Sequence, residues 1–458
     1  MPMPTSNRPI PSIGRSQTAF KRLMHRTLFL MGGLCVGGAA MLMAALAEPA
    51  QMIFHRILEL TPYAAFIVTP SIFGFCAFLA RKAFPNSQGS GIPQVIAATE
   101  LHDSEDRSAL VSLKIAAGKV IVMMLGLAGG ASIGREGPTV QVGASIMAAF
   151  GRWAPAGYQV GLLLAGGAAG IAAAFNTPLA GIVFGIEELS QSFEARTSGL
   201  IIGCVIAAGI TSLAIMGDYA YFGSTAETLP LGRSWLIVPL CGIAGGLAGG
   251  LFSRIVIAFS TGLPRAFTKR RPIAFAMACG FCVALCGFAS ADTVYGTGYA
   301  EARSIVHATA TLPASFGALK LLSTLFSSIS GIPGGLFAPS LAVGAGLGAD
   351  LHILFQSVPI GALALLGMVA YLTGVVQTPI TSFVIVAEMT QNHAMIIPLM
   401  ATALIANTTS KLVCPESIYR ALSQVFLTPA ADEAAGDGSP SPSRMAQDPQ
   451  KQNFGGGS

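Results

Sequence analysis

The stretch Gly134-Arg-Glu-Gly-Pro138 has a counterpart in Gly335-Leu-Phe-Ala-Pro339, which lies 201 residues further along the chain. The same separation holds, without a gap, for further matching pairs: Gly166 with Gly367, Thr177-Pro178 with Thr378-Pro379, and Glu187 with Glu388. Another pair, Gly89-Ser-Gly91 with Gly296-Thr-Gly298, is separated by 207 residues, which implies an insertion. This agreement predicts that the chain contains an internal repeat.

The composition indicates that the solvent of this chain is lipid. Of its 458 residues 53% are apolar and only 10% are Asp, Glu, Lys or Arg, whereas soluble globular domains carry about 25% charged residues. A backbone that crosses a bilayer must satisfy its own hydrogen bonds, and the sequence lacks the strict alternation of barrel strands, so helices are expected. The sequence therefore predicts an all-α integral membrane protein.

Polar segments divide the chain. We predict a basic cytoplasmic tail at 1–26, a first membrane repeat at 27–216, an external linker at 217–233, a second membrane repeat at 234–426 and a disordered cytoplasmic tail at 427–458. The first apolar run ends in Ala45-Leu-Ala47, which imitates a secretory signal with its cleavage site. Since about 20 apolar residues are the length of a membrane span, we expect this first helix to be retained.

Two basic clusters, within 1–26 and 264–271, give the expected orientation. Such clusters beside apolar spans usually face the cytoplasm. If each repeat crosses the membrane an odd number of times, 217–233 is external and 264–271 returns to the cytoplasmic side; an even number would place 264–271 outside. We therefore predict inverted-topology repeats, an architecture of transporters whose site lies at the repeat interface.

Three segments rich in Gly and Pro are predicted to break helices: Gly89-Ser-Gly-Ile-Pro93, Gly134-Arg-Glu-Gly-Pro138 and Gly331-Ile-Pro-Gly-Gly-Leu-Phe-Ala-Pro339. In each, proline suits the first turn of a following helix. A helix N-terminus carries unpaired N–H groups and about half a positive charge, so three converging ends could bind an anion without a lysine. Glycines that serve helix packing are the alternative interpretation. The pairing across the repeats favours an anion site.

Glu136 lies just before a predicted helix N-terminus in apolar surroundings. Ionisable residues at membrane depth are expensive and usually functional. A carboxylate in this place would compete with an anion when it is charged and could leave when it is protonated, so Glu136 could be both gate and proton carrier. The alternative is a structural ion pair with Arg135. The repeat partner of Glu136 is Phe337, so only one half carries the carboxylate.

Asn176-Thr-Pro178 is typical of a helix start, with a capping side chain and a proline in the first turn. Glu187 and Glu188 follow nine and ten residues after Pro178, which is about 15 Å along a helix and half of a bilayer core. One or both could be a second proton station that faces the other side of the membrane. The alternative is a solvated helix end.

The three Gly/Pro segments resemble the anion-site signatures of the CLC family of chloride channels and chloride/proton antiporters. Tyr419 stands where a tyrosine completes the site in that family, and the similarity covers roughly 27–426 in order. The resemblance implies a homodimer with one anion pathway per subunit, without a metal or an organic cofactor. No long regulatory domain follows residue 426, so we expect the prokaryotic type, in a bacterial inner (plasma) membrane with both termini in the cytoplasm.

The resemblance also implies the site residues. The hydroxyls of Ser90 and Tyr419, with backbone from Gly91, Ile92, Leu336 and Phe337, would bind the anion. Glu136 matches the external gating glutamate, Glu188 the internal proton-transfer glutamate, and Glu187 would be an accessory. Family channels typically lack a carboxylate at the position of Glu188, so a chloride/proton antiporter is expected.

Two positions, one within the first Gly/Pro segment and one directly after it, can be compared with the family's pattern. Serine at position 90 favours chloride, because nitrate-preferring relatives have proline there and fluoride exporters depart from the pattern. Gln94 departs from the glutamate that many relatives carry after the proline.

Other functions remain as alternatives. A passive, voltage-insensitive chloride channel and a fluoride exporter of the same family are the nearest. Gly130-Ala-Ser-Ile-Gly134 matches the nucleophile pattern of a serine hydrolase, but this pattern needs His and Asp partners, and no such arrangement is evident. Neither a metal-ligand spacing nor a base-reading module is present, so we expect no enzyme, no metal and no nucleic-acid partner.

Overall fold

The computed structural model describes residues 13–154, 156–190, 195–217, 220–262, 270–310 and 312–427. These residues form helices joined by loops, and no β-strand occurs among them. Within this part of the chain, 7 helical stretches are long and apolar enough to cross a membrane: Arg26–Leu60, Pro62–Lys82, Ser104–Ala128, Gly199–Met216, Arg233–Thr261, Pro272–Ala289 and Ile396–Val413. The prediction of an all-α membrane protein is confirmed.

The first half of the fold contains nine α-helices, numbered in chain order among the described residues. They are α1 (Ile13–Leu60), α2 (Ala65–Lys82), α3 (Ile92–Glu100), α4 (Ser104–Ser108), α5 (Leu113–Ala128), α6 (Glu136–Phe150), α7 (Gln159–Phe175), α8 (Pro178–Phe184) and α9 (Ala195–Met216). A π-helical turn, Gly185–Ser190, extends α8.

The second half follows the same order among the described residues. Its helices are α10 (Ile237–Thr261), α11 (Pro272–Ala289), α12 (Tyr299–Val306), α13 (Phe316–Ile329), α14 (Phe337–Asp350), α15 (Ile360–Val376), α16 (Pro379–Thr390) and α17 (Ile396–Val413), and α18 (Ile418–Leu427) follows them. Helices α7 and α15 have 17 residues each and begin 201 positions apart. The predicted internal repeat is therefore present in the structure.

The two repeats are inverted, because equivalent residues make reciprocal contacts. The Glu187 carboxylate accepts hydrogen bonds from the N–H groups of Ile380 (3.1 Å) and Thr381 (2.7 Å) at the start of α16. The Glu388 carboxylate, near the end of α16, accepts from the first residues of α8, Leu179 N–H (3.2 Å) and Ala180 N–H (2.9 Å). Each helix thus ends where its repeat partner begins, so the two run antiparallel about a pseudo-twofold axis.

Glycines allow the same helix crossing in both repeats. A Cβ atom on Gly143 of α6 would collide with the Gly166 carbonyl of α7, and one on Gly344 of α14 would collide with the Gly367 carbonyl of α15. Small residues of this kind let helix backbones approach closely within a bilayer. The packing interpretation therefore holds for these four glycines, which lie within helices.

Two sequence predictions differ from the structure in detail, and two others fall mostly outside the described residues. Helix α1 begins at Ile13, so part of the stretch predicted as a tail is helical. Thr177 precedes α8 as predicted but makes no side-chain cap, because the carboxylate of Glu388 binds those N–H groups instead. Most of the predicted C-terminal tail (428–458) and most of the basic cluster near 264–271 (263–269) lie outside the described residues.

The Glu388 contact predicts a loss of stability on substitution. Glu388→Gln keeps the size of the side chain but removes the charge that faces the N-terminus of α8, which is expected to destabilise the fold by about 1 kcal/mol. The measurement is the unfolding temperature of the purified protein in detergent. Glu416→Gln, at an exposed position, is the control. Equal unfolding temperatures for the two variants would contradict the proposed cap.

Candidate functional site

The three Gly/Pro loops meet at the centre of the molecule. Gly134 N–H donates to Gly335 O (2.8 Å), and Gly335 N–H donates to Gly134 O (2.7 Å). Beside this pair, Gly89 N–H donates to Ile332 O (3.2 Å) and Gly334 N–H donates to Gly89 O (3.1 Å). Because Gly134 and Gly335 are repeat partners, the pseudo-twofold axis passes through their contact. The two loops that the sequence predicted to be repeat partners are therefore joined directly, and the Gly89 loop joins the second of them.

Each loop feeds a helix N-terminus, as predicted. Helix α3 begins at Ile92 after Gly91, whose φ of 99° is in the left-handed region that favours glycine. Helices α6 and α14 begin at Glu136 and Phe337. The first N–H groups of a helix have no partner within the helix and carry a partial positive charge. The centre of the molecule is thus surrounded by peptide dipoles that favour an anion.

The Ser90 side chain lies between two of these helix starts. A Cβ atom on Gly137 would collide with the Ser90 hydroxyl and would lie 3.0 Å from Ser90 O. Ser90 is 7% exposed, and its hydroxyl makes no hydrogen bond with the described part of the chain. A buried polar group without a protein partner is uncommon in native proteins, and a bound water or ion can satisfy it. The Ser90 hydroxyl is therefore free to donate to an anion.

Tyr419, in the first turn of α18, is fully buried beside Ser90. Its ring stacks on that of Phe337, with centroids 6.3 Å apart and planes inclined by 17°. The Tyr419 hydroxyl is close enough to the Ser90 hydroxyl to interact with it, although neither group makes a hydrogen bond of normal geometry within the described residues. The structure thus brings together Ser90, Phe337 and Tyr419, three of the predicted anion-binding residues.

Glu136 is fully buried at the start of α6, and its carboxylate turns back toward α14. A Cβ atom on Gly134 would collide with Oε2 of Glu136, and the same position lies 3.4 Å from Ala338 Cβ. Neither carboxylate oxygen makes a hydrogen bond of normal geometry to the described residues. The Arg135 Nε atom is 4.0 Å from Oε1, which is at the limit for an ion pair. The carboxylate therefore lies at the helix ends where a bound anion would also be stabilised.

Glu187 and Glu188 occupy the π-helical turn after α8 and face different directions. Glu187 binds the start of α16, whereas the Glu188 side chain is 3% exposed and its Oε1 has no hydrogen-bond partner among the described residues. Glu188 lies within electrostatic range of Arg420 and of Tyr419. Single π-helical turns frequently occur at functional sites. The solvated-end interpretation does not hold for Glu188, and the proton-transfer role of both residues stays a prediction.

A cavity of about 500 Å³ reaches the predicted anion site. Its lining includes Ser90, Pro93 and Gln94 of the first repeat, Leu336 of the second repeat, and Phe426 of α18. An ion could therefore approach Ser90 from one side of the protein through this space.

The sequence did not predict that part of the linker is buried against the residues around Phe337. Tyr221 and Phe222 belong to 217–233, which was predicted from its polarity as an external linker, yet both are buried. The ring of Tyr221 packs edge-on against that of Phe175, with centroids 5.5 Å apart, and Phe175 in turn contacts Phe337. The two adjacent aromatic residues were the available signal, because a fully solvated loop rarely places such residues together.

The serine-hydrolase alternative has no support at Ser132. The Ser132 hydroxyl is buried and shares a hydrogen bond with the Thr324 hydroxyl (2.9 Å), while its N–H donates to the Ser327 hydroxyl (3.1 Å). A nucleophilic serine needs a base within hydrogen-bond reach. The contacts described for Ser132 are instead those of a packed polar residue between α5 and α13.

A single methyl group at position 137 tests the geometry of this centre. In Gly137→Ala the new Cβ would lie 3.1 Å from Gly335 Cα and against the Ser90 hydroxyl. We expect a loss of about 1–3 kcal/mol of stability and, by calorimetry, roughly tenfold weaker binding of chloride, the anion that the resemblance implies for this predicted site. Gly38→Ala is the control, because nothing lies within 4 Å of the added atom. Chloride affinity equal to that of this control would show that the anion site lies elsewhere.

The family to which the chain belongs is shown by its match to a family model. A family model described as voltage gated chloride channel matches residues 72–411. The match covers well over half of the chain, so the chain belongs to this family, the CLC family of membrane transport proteins. The resemblance that the sequence motifs indicated is confirmed.

Solved structures share the fold. An X-ray crystal structure of a slow cyanobacterial Cl⁻/H⁺ antiporter is 24% identical, with a TM-score of 0.74 over 90% of this chain and 99% of that chain. A CLC-type fluoride/proton antiporter is 23% identical, with a TM-score of 0.74 over 88% and 98%. A eukaryotic CLC transporter is 18% identical, with a TM-score of 0.72 over 89% and 75%. At these identities the likeness establishes the fold.

Proposed function

We propose that this chain is a chloride/proton antiporter that exchanges the two ions across a membrane by secondary active transport. The observation that carries the proposal is the meeting of three helix N-termini with two buried hydroxyls, beside one buried carboxylate at Glu136 and a second at Glu188. Peptide dipoles and hydroxyls suit an anion, whereas buried carboxylates suit a proton.

The anion part of the mechanism rests on uncharged donors. Chloride is bound by the hydroxyls of Ser90 and Tyr419 and by N–H groups at the starts of α3 and α14, including those of Leu336 and Phe337. Such donors stabilise the anion without a full opposite charge in contact with it. An ion must bind strongly enough to enter a pathway and weakly enough to leave it, and this set of donors meets both conditions.

The proton part of the mechanism uses Glu136 and Glu188. When Glu136 is ionised, its carboxylate competes with chloride for the helix-end N–H groups. When it is protonated, it loses that attraction and swings aside, and chloride passes. The proton is exchanged with the other side by way of Glu188, whose carboxylate lies within electrostatic range of Tyr419. Glu187 is an accessory in this scheme, and its contact with α16 holds the π-helical turn in place.

Two alternatives within the family are addressed by particular residues. A passive chloride channel needs no internal proton carrier, and the buried Glu188 favours the antiporter over it. A fluoride/proton antiporter has the same fold, but Ser90 within Gly-Ser-Gly-Ile-Pro favours chloride, since fluoride exporters of the family depart from that pattern.

The assembly and location follow the same proposal. The chain acts as a homodimer with one pathway per subunit, and both termini face the cytoplasm of a bacterial inner membrane. Leu179 and Ile380, repeat partners in the first turns of α8 and α16, expose apolar side chains (63% and 49%). In a membrane such side chains contact lipid or a second subunit.

The deciding experiment measures proton movement driven by a chloride gradient in proteoliposomes, with and without a potassium/valinomycin clamp. Proton uptake against its own gradient, sustained when the membrane potential is clamped, is the expected result. Chloride flux without proton pumping would favour the channel and remove the role given to Glu188. Pumping driven by fluoride but not by chloride would favour the fluoride exporter.

A further inference from the structure

Lys119 is a fully buried lysine directly behind the Ser90 loop. It belongs to α5, and its side chain is 0% exposed. The ammonium group donates to Gly89 O (2.9 Å) and to Gln88 O (3.3 Å), the two carbonyls that precede Ser90. In the described part of the chain no carboxylate lies within 4.0 Å of it. A buried charge of this kind is expensive and needs an explanation.

The second repeat contains the same arrangement, but in another place. Lys320 is 201 positions after Lys119 and is also 0% exposed. Its ammonium donates to Val294 O (2.9 Å), Tyr295 O (3.4 Å) and Gly296 O (2.8 Å). The loop that it holds contains none of the predicted anion-binding residues, and nearby Glu301 interacts with its charge. The repeat thus supplies a matched lysine that lies away from the anion site.

Two buried amides complete the set of donors around the Ser90 loop. Gln94 Nε2 donates to Gln88 O (2.6 Å) and to Asn86 O (3.2 Å), and Gln141 Nε2 also donates to Asn86 O (3.3 Å). With Lys119, these side chains bind the carbonyl oxygens of residues 86, 88 and 89. A glutamate at position 94 could not donate in this way while ionised. The departure at position 94 therefore fits a loop whose carbonyls are held by donors.

We propose that Lys119 is a positioning residue of the anion site. By holding the carbonyls of residues 88 and 89 it fixes the backbone that precedes Ser90, and with it the direction in which the Ser90 hydroxyl faces the anion. This inference rests on the proposed function, because it assumes that Ser90 binds chloride.

The test compares chloride binding by three variants in detergent, by isothermal titration calorimetry in a chloride-free gluconate buffer. Lys119→Met is expected to weaken chloride binding by about tenfold, since it removes the donors that hold the carbonyls of residues 88 and 89. Lys119→Arg retains the charge and donors and is expected to restore most of the affinity. Lys320→Met is the matched control, because it removes an equally buried lysine from the partner loop. It is expected to lower the unfolding temperature but to bind chloride like the wild type.

The outcomes separate this inference from the proposed function. Wild-type chloride affinity in folded Lys119→Met, or an equal loss in Lys320→Met, would overturn the positioning role. If Lys119→Met fails to fold, Gln94→Met decides the matter, because it removes the other donor to Gln88 O. It supports the proposal if its affinity falls several-fold and overturns it if affinity is unchanged. If the wild-type protein itself binds no chloride, the proposed function fails first, and the inference fails with it.

Discussion

Glu136→Gln is expected to conduct chloride but to pump no protons. Glutamine has nearly the shape of a protonated glutamate and carries no charge, so it cannot compete with the anion for the helix-end N–H groups. It cannot carry a proton either. The Glu136 carboxylate is fully buried at the start of α6, facing α14, so the change acts where the carboxylate and an anion would share the same helix ends. Proton transport should fall by about a hundredfold or more, the scale of a lost proton-transfer group.

The measurement is the proteoliposome assay with both ions followed in the same vesicles. Chloride efflux is recorded with an electrode, and the proton movement is recorded from the external pH. Glu388→Gln is the matched control, because it makes the same chemical change at a partly buried glutamate that caps α8. That control should retain coupled exchange. Proton pumping by Glu136→Gln at the wild-type rate would show that the proton carrier is another residue.

The motifs predicted the repeat and the three helix starts that the structure brings together. The spacing of 201 residues between the two Gly/Pro segments identified the repeat, and the structure joins Gly134 directly to its partner Gly335. Helix starts at residues 92, 136 and 337 followed from Gly and Pro, since these residues act through local backbone preferences. Where the cause of a structure is local, the sequence was sufficient.

Contacts distant in sequence were the part that could not be predicted. Glu388 caps α8 only because the two repeats pack against each other. The residues around Thr177 give no sign that another side chain, rather than that of Thr177, binds the first N–H groups of α8. The burial of Tyr221 was not predicted, because most residues around it in the sequence are polar. The pair Lys119 and Lys320 could have been found, because they stand at the same separation as the motifs. Their burial, which makes them informative, is visible only in the folded chain.

Glu188→Gln provides the second decisive result, because it separates an antiporter from a channel with the same anion site. If Glu188 passes protons between the far side of the membrane and Glu136, its replacement by glutamine should reduce proton transport by about a hundredfold or more. Chloride flux should continue, since the hydroxyls and helix ends that bind the anion are unchanged. The same proteoliposome assay measures chloride flux and proton transport. Glu136→Gln in the same series provides the reference for a protein that has lost its gate.

Glu187→Gln is the adjacent control, and its result assigns the role of that residue. The Glu187 carboxylate accepts hydrogen bonds from Ile380 N–H, Thr381 N–H and the Thr381 hydroxyl. If this contact is its main role, the variant should lose stability by about 1 kcal/mol and keep coupled exchange. A partial loss of proton transport would support the accessory role predicted from the sequence. Unchanged proton pumping in Glu188→Gln would contradict the proposed route, because the proton would then reach Glu136 without the buried carboxylate of the π-helical turn.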